Sequence, residues 1–181
     1  DCFCLYAEEG SDNIVAMNGS GRAPLELSAE WLLEQGITEI EQQSPHSVTV
    51  PTAIDAWTQL NRDYGTKPLS DLLQPAIGYA RDGFPISHRV AEDFAGCHDL
   101  LAGDADIAGV YLKNGEDYKH GDRCTNPNLA KTLEAVAAHG RDGFYKGWVA
   151  DDLLGKLRSL GGRHTQRDLD MALAKSVTPS K

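Results

Sequence analysis

Residues 2–24 read "CFCLYAEEGSDNIVAMNGSGRAP". Two apolar runs, 2–7 and 13–17, flank the polar segment "EEGSD". Gly10 and Asp12 are turn formers, so the stretch reads as a β-hairpin. An isolated two-stranded hairpin is not stable in water, and its edges need partners. No further strand is expected downstream, so those partners are expected outside this chain. The chain also opens in the body of a strand. The expectation is therefore a piece of a longer protein, with parts absent on both sides. No signal peptide is visible, and the compartment, cytoplasmic or periplasmic/secreted, stays open.

Beyond residue 24 the pattern turns helical. Ser28 is placed to cap a short helix ended by Gly36. "SPHSVTVP" at 44–51 reads as extended. Ile54, Trp57, Leu60 and Asn61 space as one helix face that stops at Gly65. A helix from Ser70 to Gly83 tolerates Pro75 in its early part. Ser87 caps another, to about Ala102. Residues 103–125 read as loop. Asn126 and Pro127 start a helix with apolar face Leu129, Leu133, Val136 and Ala137, ended by Gly140. One more helix covers about 145–160, and Thr165 caps a last turn. The fold class is α+β: helix-rich, with one hairpin.

Composition removes several function classes. The chain has 181 residues, 41% of them hydrophobic, and a net charge of −10. An acidic chain is a poor partner for nucleic acid, which needs a basic patch. No apolar run is long enough for a membrane span. The four cysteines, Cys2, Cys4, Cys97 and Cys124, lack CxxC spacing and read as small buried hydrophobes. The six histidines are scattered, none paired at helical spacing, so no metal site is expected and each reads as a surface or capping residue. Paired acids such as Asp104/Asp106 and Asp168/Asp170 read as caps and helix-dipole partners. P-loop, GxSxG and HExxH motifs are absent, and "GSG" at 19–21 lacks the rest of a dinucleotide fingerprint. No cofactor and no complete catalytic set are expected within this chain.

"NGSGRAP" at 18–24 stands out. Arginine offers a planar fork matched to a carboxylate. Flanking glycines let backbone N–H groups approach the same anion. The candidate substrate-binding residues are therefore Gly19, Ser20, Gly21 and Arg22. The same letters also fit a turn whose arginine pairs with an acid of the protein, and both readings stay open on composition.

The order of blocks carries more. After the hairpin and the loop ending in "AP" come "PHSVTVPTAIDAWTQLNRDYGTKPLSDLLQPAIGYARDGFPIS" at 45–87, "YLKNGEDYKHGDRCTNPNLAKTLEAVAAHGRDGFYKGWVADDLL" at 111–154 and "GGRHTQRDLD" at 161–170. Together they resemble the large-subunit region of the γ-glutamyltransferase (γ-glutamyltranspeptidase) family over nearly the whole chain. The resemblance implies an N-terminal-nucleophile hydrolase with an αββα sandwich, made as one precursor that cuts itself in two. It implies a catalytic threonine at the start of a small subunit, outside this chain, forming an acyl-enzyme from a γ-glutamyl or other small amide. The small subunit would be this chain's partner in a heterodimer, and residues 1–181 would be part of the large-subunit domain. In the transferases an arginine of this loop grips the substrate α-carboxylate. Counting back from Ala23-Pro24, its usual place falls on Ser20, whereas here arginine stands at Arg22. That form of the loop is closer to related amidohydrolases such as those resembling oxamate amidohydrolase, and a non-catalytic binding or scaffold module built from this region is the alternative from another class. Thr52 is a second departure, where the family usually has glycine after "VP".

Overall fold

The computed structural model describes residues 1–179, and the last two residues of the expected 1–181 span lie outside the described residues. In chain order the elements are β1 (Phe3–Ala7), β2 (Ile14–Asn18), α1 (Ala29–Glu34), α2 (Ala53–Tyr64), α3 (Leu69–Asp82), β3 (Phe84–Pro85), α4 (His88–Ala95), α5 (His98–Ala102) and α6 (Ala105–Tyr111). Then follow β4 (Leu112–Lys113), β5 (Glu116–Asp117), β6 (Arg123–Cys124), α7 (Pro127–His139), α8 (Asp142–Tyr145), α9 (Gly147–Ser159), α10 (Gln166–Asp170) and β7 (Lys175–Val177). The class is α+β, as expected. Two compact units divide the chain: Asp1–Leu69 with Ala138–Lys181, and Ser70–Ala137.

The first unit holds the hairpin. β1 and β2 pair antiparallel with Phe3 opposite Asn18 and Ala7 opposite Ile14. The structure corrects the expectation that the hairpin's partners lie elsewhere: β7 pairs antiparallel with β2, Lys175 opposite Asn18 and Val177 opposite Ala16. β7 is three residues long and shows no alternating pattern, so no periodicity announced it. One face of this sheet packs inward, where Met17, Ala56 and Ala174 form a core with Cys2, Cys4 and Leu60 against it. The other face keeps Phe3 69% and Leu5 72% exposed.

α2 buries Ile54 and packs Leu60 against the core as its apolar spacing suggests, but its inner face extends to Asp55 and Ala56 and leaves out Trp57, which is exposed. A carboxylate therefore lies on the inner face, and its partners are described below. Residues 45–47 form a 3₁₀ turn instead of an extended segment. Pro45 presets the first φ, the Ser44 side chain accepts from His46 N–H, and the Ser47 hydroxyl donates to the Ser44 and Gln42 carbonyls.

In the second unit α3 runs through Pro75 as expected. The helix expected from Ser87 to Ala102 breaks at Gly96–Cys97 into α4 and α5. The stretch read as loop contains α6, capped by Asp104, whose side chain accepts from Asp106 and Ile107 N–H. It also contains the β4–β5 hairpin, turned by Asn114 and Gly115 with φ of 55° and 86°. β3 pairs with β6, and Ile86, Tyr118 and Cys124 form a small core. The cysteines are unpaired; Cys124 is buried as expected, whereas Cys97 is exposed.

Candidate functional site

The 18–24 loop leaves β2 and is held from below. Gly19 exchanges both backbone hydrogen bonds with Cys2, at 2.6 and 3.2 Å, and its carbonyl also takes a short hydrogen bond from the Thr52 hydroxyl. Thr52 occupies the N-cap position of α2, yet its buried side chain serves the loop and not the helix. Thr52 is thus an anchor of the loop. A Cβ on Gly19 would lie 2.9 Å from Ala56 Cβ and from the Cys2 carbonyl. A Cβ on Gly21 would collide with the Val50 carbonyl and lie 2.6 Å from Thr49 Oγ1. Neither glycine takes a left-handed φ. They are required by close approach of the backbone, not by loop flexibility. Val50 N–H then donates to the Arg22 carbonyl at 2.9 Å, which fastens the loop's far end.

Arg22 Nη1 donates to Asp168 Oδ1 and to the Ala23 carbonyl, both at 3.1 Å. Its side chain is 37% exposed, and Nη2 is enclosed with no hydrogen-bond partner. Asp168 is fully buried. Oδ1 also accepts from Leu25 N–H at 2.8 Å, while Oδ2 accepts from the N–H and hydroxyl of Thr165 at 2.9 and 2.8 Å. The Thr165–Asp168 half is a capping box for α10. Burial by itself raises the Asp168 carboxyl pKa; the hydrogen bonds from Leu25, Thr165 and Arg22 together outweigh it and hold the group below the usual carboxylate range. One carboxylate therefore ties the loop to α10.

His164 closes the ring. It is buried, in contrast to the surface role expected for the histidines, and Nε2 lies 2.9 Å from the Val48 carbonyl. Burial lowers its pKa, so the imidazole is neutral and Nε2–H is the donor. It pins the segment on which Gly21 rests.

The opposite wall is the chain after α10. Asp55, buried on α2, accepts from Arg141 Nε at 2.8 Å on one oxygen, and from Gln59 Nε2 at 2.6 Å and Ala174 N–H at 2.7 Å on the other. Arg141 Nη2 donates to the carbonyls of Leu169, Asp170 and Ala172 at 3.2, 3.2 and 2.9 Å. Its guanidinium lies 4.5 Å from the ring centre of Tyr145, a buried phenol whose pKa burial pushes up to about 12. Tyr145 Oη accepts from Asp55 N–H at 3.2 Å. Residues 169–174, which have little regular structure, are fixed by this buried pair. Sequence reasoning did not single out Asp55 or Arg141. The available signal was an acid beside Ala56 on α2 and an arginine inside "GRDGFYKG".

Between the two walls lies a cleft of about 440 Å³ lined by Asn18, Ser20, Gly21, Arg22, Thr52 and residues 171–173 and 175. The structure brings Ser20, Gly21 and Arg22 to this cleft, with Gly19 beneath it. Ser20 is exposed, and the Gly21 N–H donates to a carboxylate oxygen, Asp1 Oδ1, at 3.2 Å. The lining residues offer two cations, hydroxyls and amides, while the carboxylates of Asp1 and Asp168 already meet the Gly21 N–H and Arg22. The histidines that meet acids do so elsewhere, His98 with Asp117 at 2.7 Å and His88 with Glu92 at 3.5 Å. Among the described residues no cluster of three metal-ligating side chains occurs, and no helix is long and apolar enough to cross a membrane.

The unit is α+β, with an arginine-bearing cleft between a strand-end loop and the chain that follows a capped helical turn. The Gamma-glutamyltranspeptidase family model matches residues 1–181. The glutathione hydrolase proenzyme of Escherichia coli (strain K12) is 38% identical over 171 residues, covering 92% of this chain and 30% of that protein. A Helicobacter pylori γ-glutamyltranspeptidase crystal structure superposes with a TM-score of 0.92 at 27% identity, covering 99% of this chain and 52% of that one. A cephalosporin acylase from Bacillus halodurans gives a TM-score of 0.91 at 30% identity, over 98% of this chain and 34% of that one. This chain belongs to the γ-glutamyltranspeptidase family. It spans less than a third of the length of the E. coli relative.

Proposed function

We propose that residues 1–181 are part of the large subunit of an amide hydrolase or acyltransferase of this family. The nucleophile is a threonine outside the chain, at the new N-terminus of a small subunit cut from the same precursor. It attacks a γ-glutamyl or small amide carbonyl, and the acyl-enzyme passes to water or an amine. This chain supplies no catalytic group and needs no cofactor. Its part is to hold the acyl group: the Ser20 hydroxyl, Arg22 and the Gly21 N–H, which exchanges its Asp1 partner for the ligand, bind the substrate carboxylate and fix the carbonyl relative to the nucleophile.

The observation that supports this role is the state of Arg22. Half of its fork is spent on Asp168, and the enclosed Nη2 has no partner. An unmet donor of this kind costs roughly 1–3 kcal/mol, which a carboxylate would recover by drawing the part-exposed guanidinium toward the cleft. The Asp168 pair orients the guanidinium without consuming it.

The test uses the full-length protein and a matched pair of substrates, one with the carboxylate and one with its neutral amide. Arg22→Ala is expected to lower kcat/KM on the acid by about tenfold to a hundredfold and to spare the amide. Arg22→Lys keeps the charge, loses the fork and recovers part. Equal loss on both substrates, with a matching fall in Tm, would reduce Arg22 to a partner for Asp168. A second reading, an amidohydrolase acting on a different acyl group, is favoured by one feature: the arginine stands at 22, two residues from its usual place. Ranking kcat/KM across a series of acyl groups separates the two.

A further inference from the structure

Lys175 is not part of the loop and belongs to no motif in the sequence, yet it lines the same cleft as Arg22. It is the first residue of β7, and the register sets it directly opposite Asn18, the residue from which the loop departs. Residues opposite each other on neighbouring antiparallel strands point to the same face, so Lys175 projects beside Asn18 at the cleft's edge. Its backbone is well placed to hold it there. The preceding residue, Ala174, donates its N–H to buried Asp55, and Arg141 fixes the three carbonyls before that. Of the two cations that line the cleft, Arg22 is paired with Asp168, which leaves Lys175 as the one with no carboxylate partner among the described residues.

We infer that Lys175 is a second anion-binding group of this cleft and a specificity-determining residue, so that the preferred ligand is a small molecule carrying two carboxylates. This rests on the reading of the cleft as a carboxylate site given above. One carboxylate meets Arg22 and takes the place of Asp1 on the Gly21 N–H; the other meets Lys175. The apolar side chains of Met171 and Leu173 border the space between and suit a short methylene chain. A lysine is a point charge on a flexible stem, so it selects for charge and tolerates variation in length, while the Arg22 fork sets orientation.

Calorimetry on the full-length protein with glutarate and its monoamide, glutaramate, tests this. The two probes share length and shape and differ by one charge. Wild-type protein is expected to bind glutarate about fivefold more tightly, as befits an exposed ammonium, with the preference shrinking as salt rises. Lys175→Ala abolishes the preference, leaves glutaramate affinity unchanged and leaves Tm unchanged; Lys175→Arg restores the preference. Equal affinities in the wild type, or a preference that survives Lys175→Ala, overturns the role of Lys175. Arg22→Ala reports separately: weakening of both probes sustains the carboxylate cleft even where Lys175 fails. If Arg22→Ala changes neither probe, or wild-type protein binds neither, the reading of the cleft falls and Lys175 with it.

Discussion

Asp168 and His164 lie four residues apart, and both are buried ionisable groups with opposite demands on pH. Asp168 is held below its usual range, so the stability it contributes is complete above about pH 4 and is lost as pH falls through its lower folded value. His164 is held neutral by burial. It contributes nothing unfavourable above about pH 6.5, where both states are uncharged. Below that value the unfolded chain takes the proton more readily, and stability falls. The full-length protein should therefore lose urea midpoint between pH 7 and 5, and His164→Gln should flatten that slope. A slope unchanged by the substitution would assign it to other groups. Asp168→Asn is expected to cost about 2–4 kcal/mol. The amide nitrogen would face donors from either Leu25 and Arg22 or Thr165. Chemical denaturation measures this directly.

At the scale of elements, loop and strand are joined where side chains are missing. Gly21→Ala should cost about 1–3 kcal/mol, because the added carbon meets backbone at Val50. Gly155, inside α9, has nothing within 4 Å of the position its Cβ would take. Gly155→Ala should instead stabilise by roughly 0.5–1 kcal/mol. A pair of melting curves distinguishes the two, and a harmless Gly21→Ala would mean the loop is not seated as described. Arg141→Met removes the partner of buried Asp55 and frees three carbonyls, with an expected cost of about 3–5 kcal/mol. Loss of the ordered 169–174 wall should then raise KM for anionic substrates beyond what the fall in stability explains.

For the whole molecule, the outer face of the sheet groups exposed apolar side chains. Phe3, Leu5, Ile14 and Val177 are 69%, 72%, 49% and 42% exposed. Apolar side chains grouped on one face mark a surface that needs cover. Residues 1–181 expressed alone should bind a hydrophobic dye strongly and show no turnover of a chromogenic γ-glutamyl amide. Co-expression with the remainder of the precursor should suppress the dye signal. Strong turnover by residues 1–181 alone would place the nucleophile inside this chain.

The hairpin at 2–17, the caps at Ser28, Ser87 and Thr165, and the helix through Pro75 were legible in the sequence, because each is decided by residues within a few positions of one another. So was the family, whose blocks follow in order along the chain. The loop "NGSGRAP" could be located, but not what its glycines do: Gly21 answers to Val50 and Gly19 to Ala56, both far along the chain. Tertiary structure alone decided that Asp55 faces inward, that β7 completes the sheet, and that Lys175 shares a cleft with Arg22. The physical reason is common to all three. A buried carboxylate, a three-residue strand and a lone lysine have no period of their own. Asp55 answers to Arg141 and Ala174, 86 and 119 residues distant, and β7, with Lys175 on it, is placed by its pairing with β2. Only the folded chain brings those partners within hydrogen-bonding distance.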